Sequence, residues 1–141
     1  MQLIQIGEHG QALSTYHHVA LGFFDGLHLG HRSVILNPFS QEAPEKTAIV
    51  SFWPHPLTVL RPEQAPPLLT DREEKNEILE RWQLGAHCII PFDEKTACHP
   101  PEWLLTRLSE NFPDLESLSV GPNFRFGQKR SGSPLTLSHW C

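Results

Sequence analysis

Two histidines and three glycines crowd one stretch of this chain, "LGFFDGLHLGHRSVI" (21–35), and their types and spacing suit work on a ligand. His28 and His31 stand three residues apart where an apolar run gives way to a helical pattern, so both imidazoles fall on one helix face near its first turn. The helix N-terminus itself offers unsatisfied N–H groups and a positive partial charge, a local device for an anionic ligand. Gly22, Gly26 and Gly30 lack a Cβ and permit tight turns and close approach of a ligand to the backbone. A second chemistry fits the same histidines: imidazoles on one helical face can hold a transition metal, with His55 or Cys98 as a third ligand.

The elements that must position these residues follow from hydropathy patterning. His18 to Phe24 is an apolar run that predicts a buried strand, and Leu29 to Leu36 predicts a helix, which makes the segment between them a strand-to-helix turn. "KTAIVSFW" (46–53), "HCIIPF" (87–92) and "LESLSVG" (115–121) predict three further strands. Between them, "TDREEKNEILERWQLG" pairs Thr70 with Glu73 as a capping box, puts Ile78, Leu79 and Trp82 on one face, and offers Gly85 as a stop. "HPPEWLLTRLSENF" opens with prolines in the first turn and presents Leu104, Leu105, Leu108 and Phe112 inward, and Ser133 with Pro134 starts a last helix. This alternation predicts an α/β fold, a parallel sheet with helices on both faces. In such folds ligands gather at the carboxyl ends of strands, where the opening turn, "FWPHP" (52–56) and "GPNFRFG" (121–127) all fall. Proline-rich "RPEQAPPLL" (61–69) reads as a stiff loop edging that cleft.

Composition narrows the function classes. The 141 residues, 39% hydrophobic, suffice for one domain with a packed core. With 11 basic against 16 acidic residues the formal charge is −5, the wrong sign for wholesale nucleic-acid binding. The three cysteines, Cys88, Cys98 and Cys141, show no CxxC spacing, which argues against a disulfide framework and a four-cysteine zinc site and predicts a reducing, cytoplasmic setting. No segment has the length of a membrane span or the pattern of an export signal. No oligomeric state follows from any of these features.

"GFFDGLHLGH" (22–31) resembles the signature of the bacterial FAD synthetases, the adenylyltransferase half of bifunctional riboflavin kinase/FMN adenylyltransferase, and His28-Leu29-Gly30-His31 is similar to the HxGH motif of the wider nucleotidyltransferases. "SFWPHPLTVL", "LLTDREEKNEIL" and "VGPNFRFGQKRSG" resemble that family's later segments in the same order, so the resemblance runs over essentially the whole chain. Two departures stand out: Phe23 where many relatives have asparagine, and Pro38 interrupting the first helix. The resemblance implies a Rossmann-like nucleotidyltransferase fold, C-terminally truncated here, because the family continues with an arginine-bearing ATP segment and a riboflavin kinase domain.

The chemistry implied is attack by the phosphate of FMN on the α-phosphorus of ATP, yielding FAD and pyrophosphate, with Mg²⁺ accompanying ATP. A phosphate monoester is largely dianionic at neutral pH, its second pKa being ~6, so the nucleophile needs no general base. By the resemblance, His28 and His31 meet the ATP phosphates; Gly22, Phe24, Asp25, Gly30 and Asn123 hold the nucleotide; Phe52, Pro54, Pro56, Leu60 and Phe126 line the flavin site. Asp25 reads equally well as a cap of its own turn, and Lys129 and Arg130 either screen phosphates or, by default, form a solvated charge pair. His17, His18, His87, His99 and His139 read as surface or strand-end residues. No protein ligand for the Mg²⁺ emerges, and the phosphates are expected to hold it. Residues 1–141 are expected to bind nucleotide or flavin weakly with little turnover; a flavin- or nucleotide-binding module without turnover, or a transferase for another phosphorylated acceptor, are the alternatives.

Overall fold

The computed structural model describes residues 1–7, 10–24, 29–36, 43–54, 61, 63 and 72–140, with Leu29, Gly30 and Arg72 described by backbone alone. Five parallel strands form one sheet: β1 (Gln2–Gln5), β2 (His18–Leu21), β3 (Thr47–Trp53), β4 (Ala86–Pro91) and β5 (Ser117–Val120), in the order β1-β4-β3-β2-β5. The helices are α1 (Leu29–Ile35), α2 (Arg72–Arg81), α3 (Glu94–Ala97), α4 (Pro101–Asn111) and α5 (Pro134–Trp140).

Side chains alternate across the pleat and so divide the interior into two cores. Val19, Leu21, Ala48, Val50, Phe52, Cys88 and Ile90 pack with Leu104, Leu105 and Leu108 of α4 and Leu137 of α5. On the opposite face Ala20 and Ile49 pack with Ile35 of α1 and Leu79 of α2. Helices therefore cover both faces, as the strand–helix alternation predicts. The central strand β3 is buried over Thr47–Phe52, which is why its sequence is a continuous apolar run rather than an alternating one.

Three sequence expectations change. β1 is an addition: only Ile4 of its four residues is even partly buried, so no apolar run marks it, and it joins the sheet through pairing with the distant β4. β2 ends at Leu21 rather than Phe24, because Phe24 turns into the left-handed region at φ 49°. Helix α2 stops through Gln83 at φ 61° rather than through Gly85. Gln83 N–H bonds the Glu80 carbonyl and Leu84 N–H the Leu79 carbonyl, the paired bonds of a Schellman cap, with Leu84 and Leu79 in contact in the same core. Gly85 serves instead for close passage, since a Cβ there would collide with the Glu45 carbonyl oxygen. The short helix α3 is also new, capped by Asp93, whose side chain accepts from Thr96 N–H. Ser133 does cap α5: its Oγ accepts from Thr136 N–H, and Thr136 Oγ1 accepts from Ser133 N–H. The capping box at Thr70 and most of the proline-rich loop lie outside the described residues.

Candidate active site

Strand order fixes where a ligand site can form. From β2 the chain passes to β3 and β4 on one side and to β5 on the other, so a crevice opens between the carboxyl ends of β2 and β5. Gly22 to Phe24 leave β2 at that point, and Gly121 to Phe126 leave β5 beside them.

A cavity of about 370 Å³ opens at this end of the sheet, on the α4 side. Its walls are aromatic: Phe23, Phe52, Phe92, Trp103 and Phe126. Phe23 sits 5.7 Å from both Phe52 and Phe124, ring centroid to centroid, and Phe52 meets Phe92 edge-on at 6.1 Å. His99 lies flat on Trp103, 4.6 Å away with the planes 2° apart. Asn123, Arg125 and Arg130 bring polar and cationic groups to an otherwise apolar lining. In a molecule with net negative charge, the two guanidiniums make this a local exception that suits an anionic group beside a flat apolar one.

The rim is held by a docked loop. Gly127 stands at φ 75°, where a Cβ would sit 2.9 Å from Pro101 Cα, Cγ and N, and Gln128 N–H donates to the His99 carbonyl at 2.8 Å. Lys129 and Arg130 follow at φ 54° and 55°, backbone angles that cost an L-residue free energy and that tertiary contacts must impose. Phe126 pairs with Gly132 in an antiparallel bridge that closes the loop at its base.

Of the sequence-predicted residues, Phe52, Phe126 and Asn123 come together in this cavity. Gly22 lies at the end of β2, its N–H on the Val50 carbonyl. A Cβ there would approach Phe24 Cζ to 3.0 Å. Phe24 is buried on the other face of the sheet, in the α1 and α2 core, its ring edge-on to the His31 imidazole at 5.6 Å. His31 is half-buried in the first turn of α1, and Gly30 belongs to the same turn. Pro54 follows β3 after a cis Trp53–Pro54 bond, half-buried and not itself lining the cavity. His28, Asp25, Pro56, Leu60 and His55 lie outside the described residues. Among the described residues no group of three or more His, Cys, Asp or Glu could hold a metal ion.

The structure changes the reading of two histidines. His87, second residue of β4, is not at the surface but 1% exposed: its Nδ1 meets Asn76 Oδ1 at 2.6 Å and its Nε2 meets Ser51 Oγ at 2.7 Å. An amide oxygen can only accept, so Nδ1 carries the proton and Ser51 donates to Nε2. His99 is half-buried and lines the cavity, while Arg130, exposed, stands at its rim. One residue is missed altogether. Lys75 is 7% exposed and its Nζ donates to the Phe23 carbonyl at 2.8 Å. Its position, three before Ile78 and four before Leu79, placed it on the apolar stripe of α2 from the outset.

Comparison with known proteins agrees with this geometry. The FAD synthetase family model matches residues 11–141. Among curated relatives, the bifunctional riboflavin kinase/FMN adenylyltransferase of Buchnera aphidicola (Schizaphis graminum) is 27% identical over 94% of this chain and 43% of its own length. The proteins of that name from Escherichia coli K12 and Bacillus subtilis are 30% and 31% identical, over 84% of this chain and 39% and 38% of theirs. The chain thus spans about two fifths of the length of these relatives. A solved structure titled as a macrolide-efflux protein from Streptococcus pneumoniae superposes with a TM-score of 0.73 over 99% of this chain and 56% of that one. At 18% identity that likeness concerns the fold alone. Among the described residues no helix is long and apolar enough to cross a membrane. With a family match over nearly all of its residues, and a parallel sheet whose switch point opens onto an aromatic cavity, this chain belongs to the FAD synthetase family.

Proposed function

We propose that this chain transfers the adenylyl group of ATP to the phosphate of FMN, releasing pyrophosphate and FAD. The observation that carries the reading is the aromatic cavity beside the β2–β5 switch point, with Asn123 and two arginines on its wall. Its volume falls in the range of small-molecule sites, and its flat walls suit an isoalloxazine ring.

In the reaction a phosphate oxygen of FMN forms a bond to the α-phosphorus of ATP while the bond from that phosphorus to the bridging oxygen breaks, leaving pyrophosphate. The FMN phosphate arrives ionised, so the protein's work is in-line alignment and relief of charge. His28 and His31 donate to the ATP phosphates. Gly22, Phe24, Asp25 and Gly30 shape the turn around them, and Asn123 bonds the nucleotide. Phe52, Phe126, Pro54, Pro56 and Leu60 hold the flavin. Mg²⁺ accompanies ATP on its own phosphate oxygens. Among the described residues no cluster of three or more His, Cys, Asp or Glu forms a cage for it. Phosphorylation of riboflavin, the other activity in the relatives' names, is assigned to no residue of this site.

The test incubates the protein with ATP, Mg²⁺ and FMN and separates FAD from FMN by chromatography, alongside titration of FMN fluorescence. Residues 1–141 are expected to bind FMN and ATP and to form FAD slowly. A protein that binds neither, or that adenylylates another phosphorylated acceptor in preference to FMN, overturns the reading.

A further inference from the structure

Lysine is a costly residue to bury, because desolvating an ammonium disfavours its charged form. Lys75 is nevertheless 7% exposed on the apolar stripe of α2, with its ammonium 2.8 Å from the Phe23 carbonyl oxygen. That carbonyl belongs to the peptide joining Phe23 to Phe24, the point where the chain parts into two directions. Phe23 packs against Phe52 and Phe124 at the cavity. Phe24 turns left-handed, φ 49°, and lays its ring against His31 on the opposite face. Whatever fixes this one peptide plane fixes both the aromatic wall and the seat of the histidine helix. The next residue of α2, Asn76, bonds His87 of β4, which bonds Ser51 of β3. α2 is thereby pinned to the sheet while it grips the turn.

We infer that Lys75 is a positioning residue that couples the aromatic cavity to the α1 histidine turn by clamping the Phe23–Phe24 peptide from beneath. The inference rests on the FMN adenylyltransferase reading for what the two halves bind, though the clamp itself can be read without any ligand. A hydrogen bond from a charged donor strengthens with desolvation and outweighs the penalty of one left-handed residue. Without it the peptide plane loses its charge-assisted anchor, and the relation between Phe23 and Phe24 loosens.

The experiment compares Lys75→Met, Lys75→Arg and, as an exposed control on the same helix, Glu77→Met. Backbone amide resonances of Gly22, Phe23 and Phe24 are recorded without ligand, and binding of FMN and of ATP with Mg²⁺ is measured by calorimetry. Lys75→Met keeps the stem and is expected to shift or broaden those amides. It should weaken both ligands by about tenfold, the loss of one charge-assisted bond. Lys75→Arg, which retains a donor, should recover part of both effects, and Glu77→Met should change neither. If Lys75→Met lowers the melting temperature but leaves the amides or both affinities at parental values, Lys75 is merely structural and the inference falls. If the parent binds neither ligand, the functional reading fails while the ligand-free amides still decide the clamp.

Discussion

Replacing Gly127 by alanine tests whether the loop docked on α4 builds the cavity. Two separate penalties apply at that position. At φ 75° and ψ 175°, a region essentially confined to glycine, an L-residue is strained, which costs about 1–3 kcal/mol. The new Cβ would also sit 2.9 Å from Pro101 Cα, Cγ and N, and these are atoms of a helix start that cannot swing aside as a long side chain can. Overpacking of that kind costs about 1–3 kcal/mol. Together they give a loss of about 2–6 kcal/mol, a large part of the ~5–15 kcal/mol of a typical domain. Relief by lifting residues 127–131 from Pro101 would carry Phe126 and Arg130 out of the lining, so FMN affinity should fall by about tenfold or more, as small misplacements at a binding site do. Gly121 provides the control, because a Cβ there meets nothing within 4 Å; Gly121→Ala should stay within ~0.5 kcal/mol of the parent. Urea unfolding with a common slope and FMN fluorescence titration read the two quantities. If Gly127→Ala and Gly121→Ala prove indistinguishable in both, the loop is not held by Pro101 and does not shape the site.

Three other outcomes follow from particular residues. His31→Ala should slow adenylyl transfer by ~10²–10³-fold with little change in the urea midpoint, and parental turnover would exclude a role at the phosphates. Burial pushes the Cys88 thiol up to about 12, so a Cys98→Ser, Cys141→Ser protein should stay unlabelled by a thiol reagent at about pH 8 until it is unfolded; rapid labelling of the folded protein would contradict the buried position of β4. The hydrogen bond from His17, helped by its charge, holds the Glu116 carboxyl below the usual glutamate range. A depressed folded value means that this contribution is present above the unfolded value and is lost as the pH falls through the folded one, so the stability gap between the parent and Glu116→Gln should shrink from about pH 6 to about pH 3. A gap that stays constant over that range would rule the pairing out.

Features that depend on neighbours in the chain are readable from residue order alone. Runs of buried β-branched residues produce β3 and β4, prolines at a helix start produce α4, and Ser133 with Pro134 produces α5, all through local sterics and local hydrogen bonds. The convergence of the segments that carry Phe52, Asn123 and Phe126 was legible because the carboxyl ends of parallel strands share one edge of a sheet, while the individual residues were singled out by the family resemblance. The tertiary structure decided the rest, for reasons that no local pattern carries. β1, half of whose apolar residues face solvent, exists because β4 offers a free edge to pair with. His87 reads as a polar residue at the start of a strand, and only Asn76 and Ser51, brought from α2 and β3, satisfy both ring nitrogens and permit its burial. Phe23 and Phe24, adjacent in an apolar run, look equivalent until the left-handed turn sends one ring to the cavity and the other to His31. Lys75 has the most polar side chain on its helix stripe, and its place in the interior is set by a carbonyl 52 residues away in the chain. A buried charge is stable only where a partner is already fixed to receive it, and that partner is a product of the folded sheet rather than of the sequence around the lysine.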